Sequence, residues 1–298
     1  MTNWKTYKNG NYTVSININN GTKIRETEYD EFIPDFAENM DILISQRCDN
    51  LCGWCYAGCT PDGTHGELLN WKFIDTLHPY TEVALNLNWP IPPQFEELLI
   101  KLKSKNIITN ITVAQNHFHT NHEYIRSLVN KKLIYGVGVS LQQASDDFLS
   151  LITTFPTAVI HTIVGVTGWN EFKKMKYSKH ASKLKILILG YKDIGRGEHW
   201  KNRLNGEIIA KQDWLYANLE DLAKCFKVTS FDNLALEQLN VKRLLSGEEW
   251  NEFYMGDDGG YTFFIDLVAG TFGKNSLATK RYPIMDSVDE MFNFIRKE

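Results

Sequence analysis

The chain has 298 residues, of which 43% are hydrophobic and 23% charged, a balance typical of a folded globular protein and not of a disordered or fibrous one. Its formal net charge of −4 gives no support for nucleic acid or an acidic membrane surface as a partner. The first 20 residues are polar and no later run approaches the length of a membrane span, so we expect neither export nor membrane insertion.

The opening segment, residues 1–40, is interpreted as an N-terminal extension. Apolar residues alternate from Tyr12 to Ile18, the turn residues Asn19-Asn20-Gly21 follow, and the chain returns through residues 23–25. Alternation on both sides of such a turn predicts a β-hairpin.

Residues 41–200 form the predicted core, in which short apolar runs alternate with helix-length amphipathic segments. The predicted strands are 41–45, 82–87, 107–114, 136–141, 158–164 and 185–189, and the predicted helices lie near 67–77, 93–104, 121–132, 145–155 and 170–181. This pattern predicts an α/β fold with a parallel sheet. Right-handed crossovers between neighbouring strands would curl it into a partial (β/α)₆ barrel of the TIM type, and a doubly wound open sheet is the competing arrangement.

Residues 201–298 follow a different rhythm and are interpreted as an α+β module that packs on the core and closes the barrel. We predict a helix near 210–226, a strand at 231–236, a helix near 241–254, an aromatic hairpin at 261–274 and a final helix at 286–296. The final helix begins with Asp and Ser and carries apolar residues on one face, which is typical of an amphipathic helix with a capped start.

Three of the five cysteines lie on one short segment directly after the first core strand. Cys48, Cys52 and Cys55 have the spacing C-x₃-C-x₂-C, which does not fit a secreted disulfide framework and favours a reducing cytoplasm. Three thiolates on one loop can each hold one iron of a [4Fe–4S] cluster and leave the fourth iron without a protein ligand. A structural zinc site needs four ligands and would have to recruit Cys59, His65 or a more distant residue.

This motif, followed at once by the aromatic Tyr56 and placed after the first strand of a βα series, resembles the radical S-adenosylmethionine (SAM) superfamily over about residues 41–197. The resemblance implies a partial (β/α)₆ barrel in which the three cysteines bind the cluster and SAM chelates its open iron. It also implies that Tyr56 lies against the adenine of SAM and that Trp54 shields the cluster.

Other segments of the chain correspond more weakly to the family's SAM-binding motifs. The family's Gly-Gly-Glu-Pro-like stretch corresponds to residues 87–90, Leu-Asn-Trp-Pro, where Trp89 replaces the acidic residue, so Asn86, Asn88 or backbone carbonyls would receive the SAM amino group. The other SAM contacts that the resemblance implies are the side chains of Ser140 and Gln142 to the ribose or carboxylate, Val164 on the adenine-contacting fifth strand, and the backbone near Tyr191 after the sixth.

The activity implied by the resemblance is reductive cleavage of SAM to methionine and a 5′-deoxyadenosyl radical, which abstracts hydrogen from an unactivated C–H of a substrate. An electron donor such as flavodoxin or ferredoxin is the implied partner. The segments after Gly190 look like compact radical SAM proteins of bacteriophages and their hosts, and the remaining cysteines are too few for an auxiliary-cluster domain. A peptide or protein substrate is favoured over a nucleotide or small metabolite, because the chain has no basic stripe and its C-terminal module is rich in aromatic residues. The alternative is a non-catalytic metal-binding protein, with structural zinc or a cluster, that acts as a regulatory or interaction factor.

Several other residues are of types that can take part in catalysis or metal binding, but we expect a structural role for most of them. Cys59 is expected to be a loop thiol, and Cys225 to be a small hydrophobe within the helix 214–226. His117, His119 and His122 follow the third strand, where we expect solvated or hydrogen-bonding side chains, with substrate contact and metal binding as alternatives.

Two further segments are expected to be loops or turns. Residues 195–197, Gly-Arg-Gly, are too short for a phosphate loop, and residues 257–260 are predicted to form a turn and not a calcium loop. Arg126, Lys192 and Arg196 are candidates to meet an anionic group, although exposed basic residues usually face solvent.

Overall fold

The computed structural model describes residues 3–298. Its N-terminal part is a three-stranded antiparallel sheet of β1 (Trp4–Asn9), β2 (Tyr12–Asn17) and β3 (Lys23–Glu26). Strands β2 and β3 are the predicted hairpin, with Val14 opposite Arg25, whereas β1 was not predicted. The sheet holds because Tyr12, Val14 and Ile16 alternate along β2 and are all buried.

The core is a larger sheet in which six parallel strands are neighbours in chain order. These strands are β4 (Asn39–Leu43), β5 (Glu82–Leu87), β6 (Ile108–Ala114), β7 (Val137–Ser140), β8 (Ala158–Ile163) and β9 (Lys185–Leu189). Each predicted strand is confirmed to within two residues at either end. The predicted α/β class is also confirmed. A doubly wound sheet would reverse its strand order at a switch point, and no such reversal occurs among these six strands.

Four helices follow the strands: α1 (Phe95–Ser104), α2 (Gln115–Asn130), α3 (Asp146–Ile152) and α4 (Trp169–Tyr177). The helix predicted at 67–77 is wrong, since only a 3₁₀ turn, Lys72–Thr76, is present there. The Glu67 carboxylate accepts a hydrogen bond from the Leu69 amide at 3.0 Å, and such local side-chain bonding competes with helix formation.

Helix α2 begins at Gln115, six residues before the predicted start at 121, and it is kinked at Asn121. The Asn121 amide group donates to the carbonyl of His117 at 2.9 Å across this kink. The three histidines therefore lie on a helix and not on a loop.

The chain after residue 195 forms α5 (Arg196–Ala223), β10 (Val228–Phe231), α6 (Asn233–Gln238), α7 (Gly247–Phe253), β11 (Thr262–Asp266), β12 (Thr271–Gly273), β13 (Tyr282–Pro283) and α8 (Val288–Lys297). The predicted hairpin at 261–274 and the final helix are confirmed. The strand predicted at 231–236 is wrong beyond Phe231, because the Asp232 side chain accepts from the Ala235 amide and starts a helix. The helix predicted at 241–254 is divided into a 3₁₀ turn, Val241–Leu244, and α7, because Ser246 forms a capping box with Glu249.

Strands from this C-terminal segment extend the core sheet at both of its edges. β10 lies parallel to β9, and β11 lies parallel to β4 with Phe264 opposite Asp41. Among residues 3–298 the edge strands of this ten-stranded sheet are β10 and β13. The division into segments 1–40, 41–200 and 201–298 stays a prediction. No helix within residues 3–298 combines the length and the apolar character needed to cross a membrane.

The two faces of the core sheet differ in chemistry. On one face, Val83, Leu85 and Leu87 and their neighbours pack into the hydrophobic core beneath α1 and α2. On the other, which we call the open face, polar and partly accessible side chains recur at every second position, among them Asp41, Asn86, Asn110, Thr112, Ser140 and His161. The site described next lies where the carboxyl ends of these strands meet the open face.

Candidate functional site

Residues 44–60, which we call the cysteine loop, leave the carboxyl end of β4. The Asn86 side chain at the end of β5 accepts a hydrogen bond from the Ile44 amide at 2.7 Å and donates to the Ser45 carbonyl at 2.8 Å. Asn88 donates to the same carbonyl at 3.2 Å. The neighbouring strand therefore fixes the start of the loop through side-chain amides.

The loop turns back beside its own start. The Cys48 amide donates to the Thr60 carbonyl at 2.8 Å, and the Thr60 amide donates to the Gln46 carbonyl at 3.0 Å. This pairing brings the cysteines between positions 48 and 59 onto one compact turn of chain.

The three predicted cluster ligands are all free thiols, with Cys48 buried and Cys52 and Cys55 partly exposed. The Asn50 side-chain amide donates to the Cys52 sulfur at 3.1 Å. Burial raises the pKa of Cys48 above its ordinary value and raises that of Cys52 to about 11. A hydrogen bond from the Cys59 thiol lowers the pKa of Cys55 and, for the same reason, raises the pKa of Cys59.

Residues 195–197, Gly-Arg-Gly, follow β9 and hold the cysteine loop in place from that end of the sheet. The Arg196 guanidinium donates to the carbonyls of Cys52 and Cys59 at 2.9 and 2.6 Å, and its backbone amide donates to the Cys55 carbonyl at 3.1 Å. Gly195 has φ +58°, and a Cβ at this position would lie 2.3 Å from the Tyr56 carbonyl oxygen. Only glycine fits such a close approach.

This clamp is the part of the site that the sequence reasoning missed. Arg196 was considered as a residue that meets an anionic group, but its guanidinium is occupied by two loop carbonyls. The available signal was a pair of glycines flanking an arginine after the sixth strand, because paired glycines mark places where backbones approach closely.

Tyr56 lies at the carboxyl end of the loop beside charged groups of the open face. The Lys192 ammonium lies 4.3 Å from the centroid of the Tyr56 ring and donates to the Ser276 hydroxyl at 2.7 Å. Burial raises the pKa of Tyr56, so the phenol is neutral at neutral pH. Asp41, on the open face, is accessible to solvent, yet desolvation by the surrounding protein atoms raises its pKa.

The other predicted SAM contacts divide into two groups. Asn88 touches the start of the cysteine loop, Gln142 donates to the Asn50 side chain at 3.2 Å, and Ser140 lies on the open face opposite His161. Val164, in contrast, is fully buried.

Tyr191 belongs with Val164 in the second group. Its backbone amide and carbonyl are both bonded by the Gln238 side chain, and its hydroxyl donates to the Gly197 carbonyl at 2.5 Å. The structure thus brings Asn88 and Gln142 to the cysteine loop, while Val164 and Tyr191 lie beneath the surface.

The three histidines of α2 have separate environments. His117 is buried, its Nε2 lies 2.5 Å from Asp49 Oδ1, and its ring lies 5.3 Å from that of Trp89. His119 is exposed, and His122 Nδ1 donates to the carbonyl of His119 at 2.8 Å. Only His117 therefore reaches the cysteine loop.

Two other predictions concern residues at the margins of the site. Cys59 is buried, with its sulfur 3.8 Å from the Asn88 side-chain nitrogen, so it lies inside the loop and not at its surface. Cys225 was predicted inside a helix, but α5 ends at Ala223 and the Cys225 thiol donates to the Asp221 carbonyl at 3.1 Å. The predicted turn at 257–260 is confirmed by a hydrogen bond from the Gly260 amide to the Asp257 carbonyl at 3.0 Å.

His161, on β8, is a partly accessible titratable group of the open face, with a buried Nδ1 atom, that the sequence reasoning did not single out as a functional residue. Burial lowers its pKa to about 4, so its imidazole is neutral at neutral pH. A neutral imidazole donates a hydrogen bond from one ring nitrogen and accepts one at the other.

Comparison with known proteins gives a likeness of fold. No protein-family model and no curated protein matches the chain. Among solved structures it is similar to Streptococcus suis SuiB bound to S-adenosylmethionine, with a TM-score of 0.61 and 13% identity over 98% of this chain and 87% of that one. A second structure of Streptococcus suis SuiB gives a TM-score of 0.54 and 14% identity over 91% of this chain and 81% of that one. The chain therefore shares its fold with SuiB over nearly its whole length.

Proposed function

We propose that this chain is a radical SAM enzyme in which Cys48, Cys52 and Cys55 hold a [4Fe–4S] cluster and SAM binds beside it. Hydrogen would be abstracted from an unactivated C–H of a substrate, with a peptide or protein favoured. The observation that carries the proposal is the cysteine loop, which leaves the first of six parallel strands arranged in chain order. The likeness to SuiB, whose crystal structure contains SAM, supports it.

The donor set of the loop fits a cluster with three protein ligands. Three thiols come from one turn of chain, and the Asn50 amide group already donates to the Cys52 sulfur at 3.1 Å. Hydrogen bonds to the sulfurs are a means by which proteins stabilise and tune iron–sulfur clusters. Arg196 holds the backbone on both sides of the same turn, which limits the movement of the loop.

When bound, the cluster and SAM supply the reductive cleavage of a sulfur–carbon bond and the hydrogen abstraction that follows. The chain positions the cluster and SAM and excludes water from the site. Asn86 and Asn88 fix the start of the loop to β5, and Gln142 reaches the loop from the end of β7 through Asn50. Tyr56, a neutral phenol beside Lys192, provides the aromatic surface for adenine.

The remaining predicted SAM residues have different roles in this proposal. Ser140 offers a hydroxyl on the open face. The Asn88 side-chain nitrogen donates to the Ser45 carbonyl, and its side-chain oxygen is the acceptor for the SAM amino group. Val164 and Tyr191 contribute packing beneath the adenine surface, because Val164 is fully buried and the backbone polar groups of Tyr191 are already bonded to Gln238.

The open face is the substrate side of this proposal. We take the sheet to be the concave wall of a partial (β/α)₆ barrel that the N-terminal sheet and the C-terminal segment close, so that a reactive radical is kept from water and bystander groups. A flavodoxin or ferredoxin would deliver the electron, and a reducing cytoplasm is the compartment that suits five free cysteines.

The test is cluster reconstitution under anaerobic conditions, followed by reduction with dithionite in the presence of SAM and measurement of 5′-deoxyadenosine. We expect about four iron and four sulfide per chain and formation of 5′-deoxyadenosine. The variant with Cys48, Cys52 and Cys55 all changed to Ala should lose both. Cys225→Ala is the matched control and should keep both, because its thiol lies at the end of α5, outside the loop.

A second candidate function is a non-catalytic metal-binding protein. The segment after β5 favours it, because Asn88 and Trp89 place no carboxylate there and the Trp89 ring packs beside His117 instead. One zinc per chain, with no iron taken up on reconstitution, would support this candidate and contradict the enzyme.

A further inference from the structure

Three different ligating groups meet at the N-terminal end of α2. The Cys48 thiol and the Asp49 carboxylate come from the cysteine loop, and the His117 imidazole comes from the first turn of α2. One ligating atom of each residue lies within 4.8 Å of the other two. A thiolate, an imidazole and a carboxylate form a donor set that suits divalent zinc.

Two members of this trio are buried. His117 is 6% exposed and Cys48 is 8% exposed. The His117 nitrogen that faces Asp49 is Nε2, so Nε2 is the ring atom that would bind the ion. The Asp49 side chain is 62% exposed, so the trio is closed on the protein side and reachable from solvent.

We propose that, before a cluster is assembled, Cys48, Asp49 and His117 bind one divalent ion of the zinc class, with water as a fourth ligand. The thiolate and the carboxylate together neutralise the two charges of the ion. Zinc–ligand distances of about 2.0–2.3 Å place neighbouring ligand atoms of a tetrahedral site about 3.3–3.6 Å apart. Asp49 must therefore withdraw from His117 by about 1 Å, which its exposed side chain can do by rotation.

The ion and the cluster exclude each other, because both use Cys48; this consequence rests on the proposed function, whereas the ion site itself does not. In a zinc-loaded chain, Cys52 and Cys55 are the two proposed cluster ligands left for iron. Zinc bound at this trio would accordingly block cluster assembly until it is removed.

The ion site can be tested with Co²⁺ as a spectroscopic substitute for zinc. The full-length, cluster-free protein is titrated with Co²⁺ under anaerobic conditions, and the visible bands of tetrahedral Co²⁺ and the sulfur-to-cobalt charge-transfer band are recorded. We expect one Co²⁺ per chain. Cys48→Ser and His117→Gln should each weaken binding at least about tenfold, and Asp49→Asn should also weaken it.

Two matched variants separate this site from the cluster site. His119→Ala lies on the same helix with an exposed side chain and should leave Co²⁺ affinity unchanged. Cys52→Ser should also leave it unchanged while abolishing iron uptake. Equal affinity in wild type and His117→Gln would overturn the proposal, as would an equal loss in Cys52→Ser.

Competition is measured by adding Zn²⁺ before reconstitution and counting iron per chain. Wild type should take up several-fold less iron with one equivalent of zinc than without, and His117→Gln should take up the same amount in both conditions. Zinc-insensitive iron uptake by wild type would contradict the competition. A normal Co²⁺ site in a protein that never binds iron would instead contradict the proposed function alone, so the two failures are distinguishable.

Discussion

The contact between Gly195 and the cysteine loop gives a prediction with a matched control. Gly195 and Gly58 both have positive φ, +58° and +64°. A Cβ on Gly58 would meet nothing within 4 Å, whereas one on Gly195 would lie 2.3 Å from the Tyr56 carbonyl oxygen. Gly195→Ala and Gly58→Ala therefore both place an alanine at positive φ, and only the first adds a collision.

The expected magnitudes follow from these geometries. An alanine at positive φ costs about 1–2 kcal/mol, which is the whole expected loss for Gly58→Ala. At Gly195 the backbone is at ψ −131°, outside the left-handed helical region, and the collision requires a shift of about 1 Å in the loop. Strain and overpacking together cost about 3–5 kcal/mol. For a chain of this length, the midpoint of thermal unfolding should fall by about 2–3 °C in Gly58→Ala and by about 5–8 °C in Gly195→Ala.

The assay is unfolding of the cluster-free, reduced protein by heat and by urea, followed by iron loading of each variant. Gly195→Ala should load less iron than Gly58→Ala, because the collision displaces the backbone between Cys55 and Tyr56. Equal stability and equal iron loading in the two variants would refute the clamp as the structure places it.

Three other contacts give predictions of the same kind. Arg196→Ala removes two hydrogen bonds to loop carbonyls and should lower the free energy of unfolding by about 2 kcal/mol and reduce iron per chain, with Arg196→Lys intermediate; full iron loading in the alanine variant would contradict this. Asn86→Ala leaves the Ser45 carbonyl with one donor fewer and a neighbouring amide without its acceptor, so urea unfolding should show a loss of about 2–4 kcal/mol. Asn86→Asp, which keeps the acceptor, should lose less, and equal losses would count against this role. Glu38 is fully buried, and although burial alone would raise its pKa, Lys23, Arg25 and the Tyr12 hydroxyl together hold the pKa below its ordinary value. Stability that is present above about pH 4.3 is therefore lost as the pH falls toward the folded-state pKa. Between pH 7 and pH 3.5, the free energy of unfolding measured with urea should fall less in Glu38→Gln than in wild type. An equal fall in both proteins would reject the assignment.

The core strands could be predicted because their signal is local. The run from Glu82 to Leu87, for example, alternates buried and partly exposed residues over its whole length, and a period of two fixes which side chains enter the core. The chain order of the strands then follows from short right-handed connections. Pairing of β11 with β4, more than 200 residues away, has no such local signal.

The wrong predictions share a physical cause, which is a polar side chain that ends or starts an element. Residues 231–236 carry apolar positions that suit a strand, but the Asp232 carboxylate binds the amides of Ala235 and Gly190 and turns the chain into a helix. Glu67 acts similarly at the start of the segment that was predicted to be a helix. Hydrophobic periodicity does not register such bonds.

Part of the candidate site could be predicted from the sequence because its signal, like that of the core strands, is local. Cys48, Cys52 and Cys55 are close in sequence, so their spacing alone indicates a shared centre. Arg196 is brought to them by the fold after 140 residues of intervening chain, and His117 meets Asp49 across 68 residues. Contacts of this separation depend on the assembled sheet, and the spacing of residue types does not reveal them.

The central claim is that the cysteine loop carries a cluster that cleaves SAM. The most direct measurement is 5′-deoxyadenosine formed by the anaerobically reconstituted, dithionite-reduced protein with SAM, compared with the variant in which Cys48, Cys52 and Cys55 are changed to Ala. The account predicts 5′-deoxyadenosine from the wild-type protein and none from the variant. A wild-type protein that binds zinc, takes up no iron and forms no 5′-deoxyadenosine would contradict it.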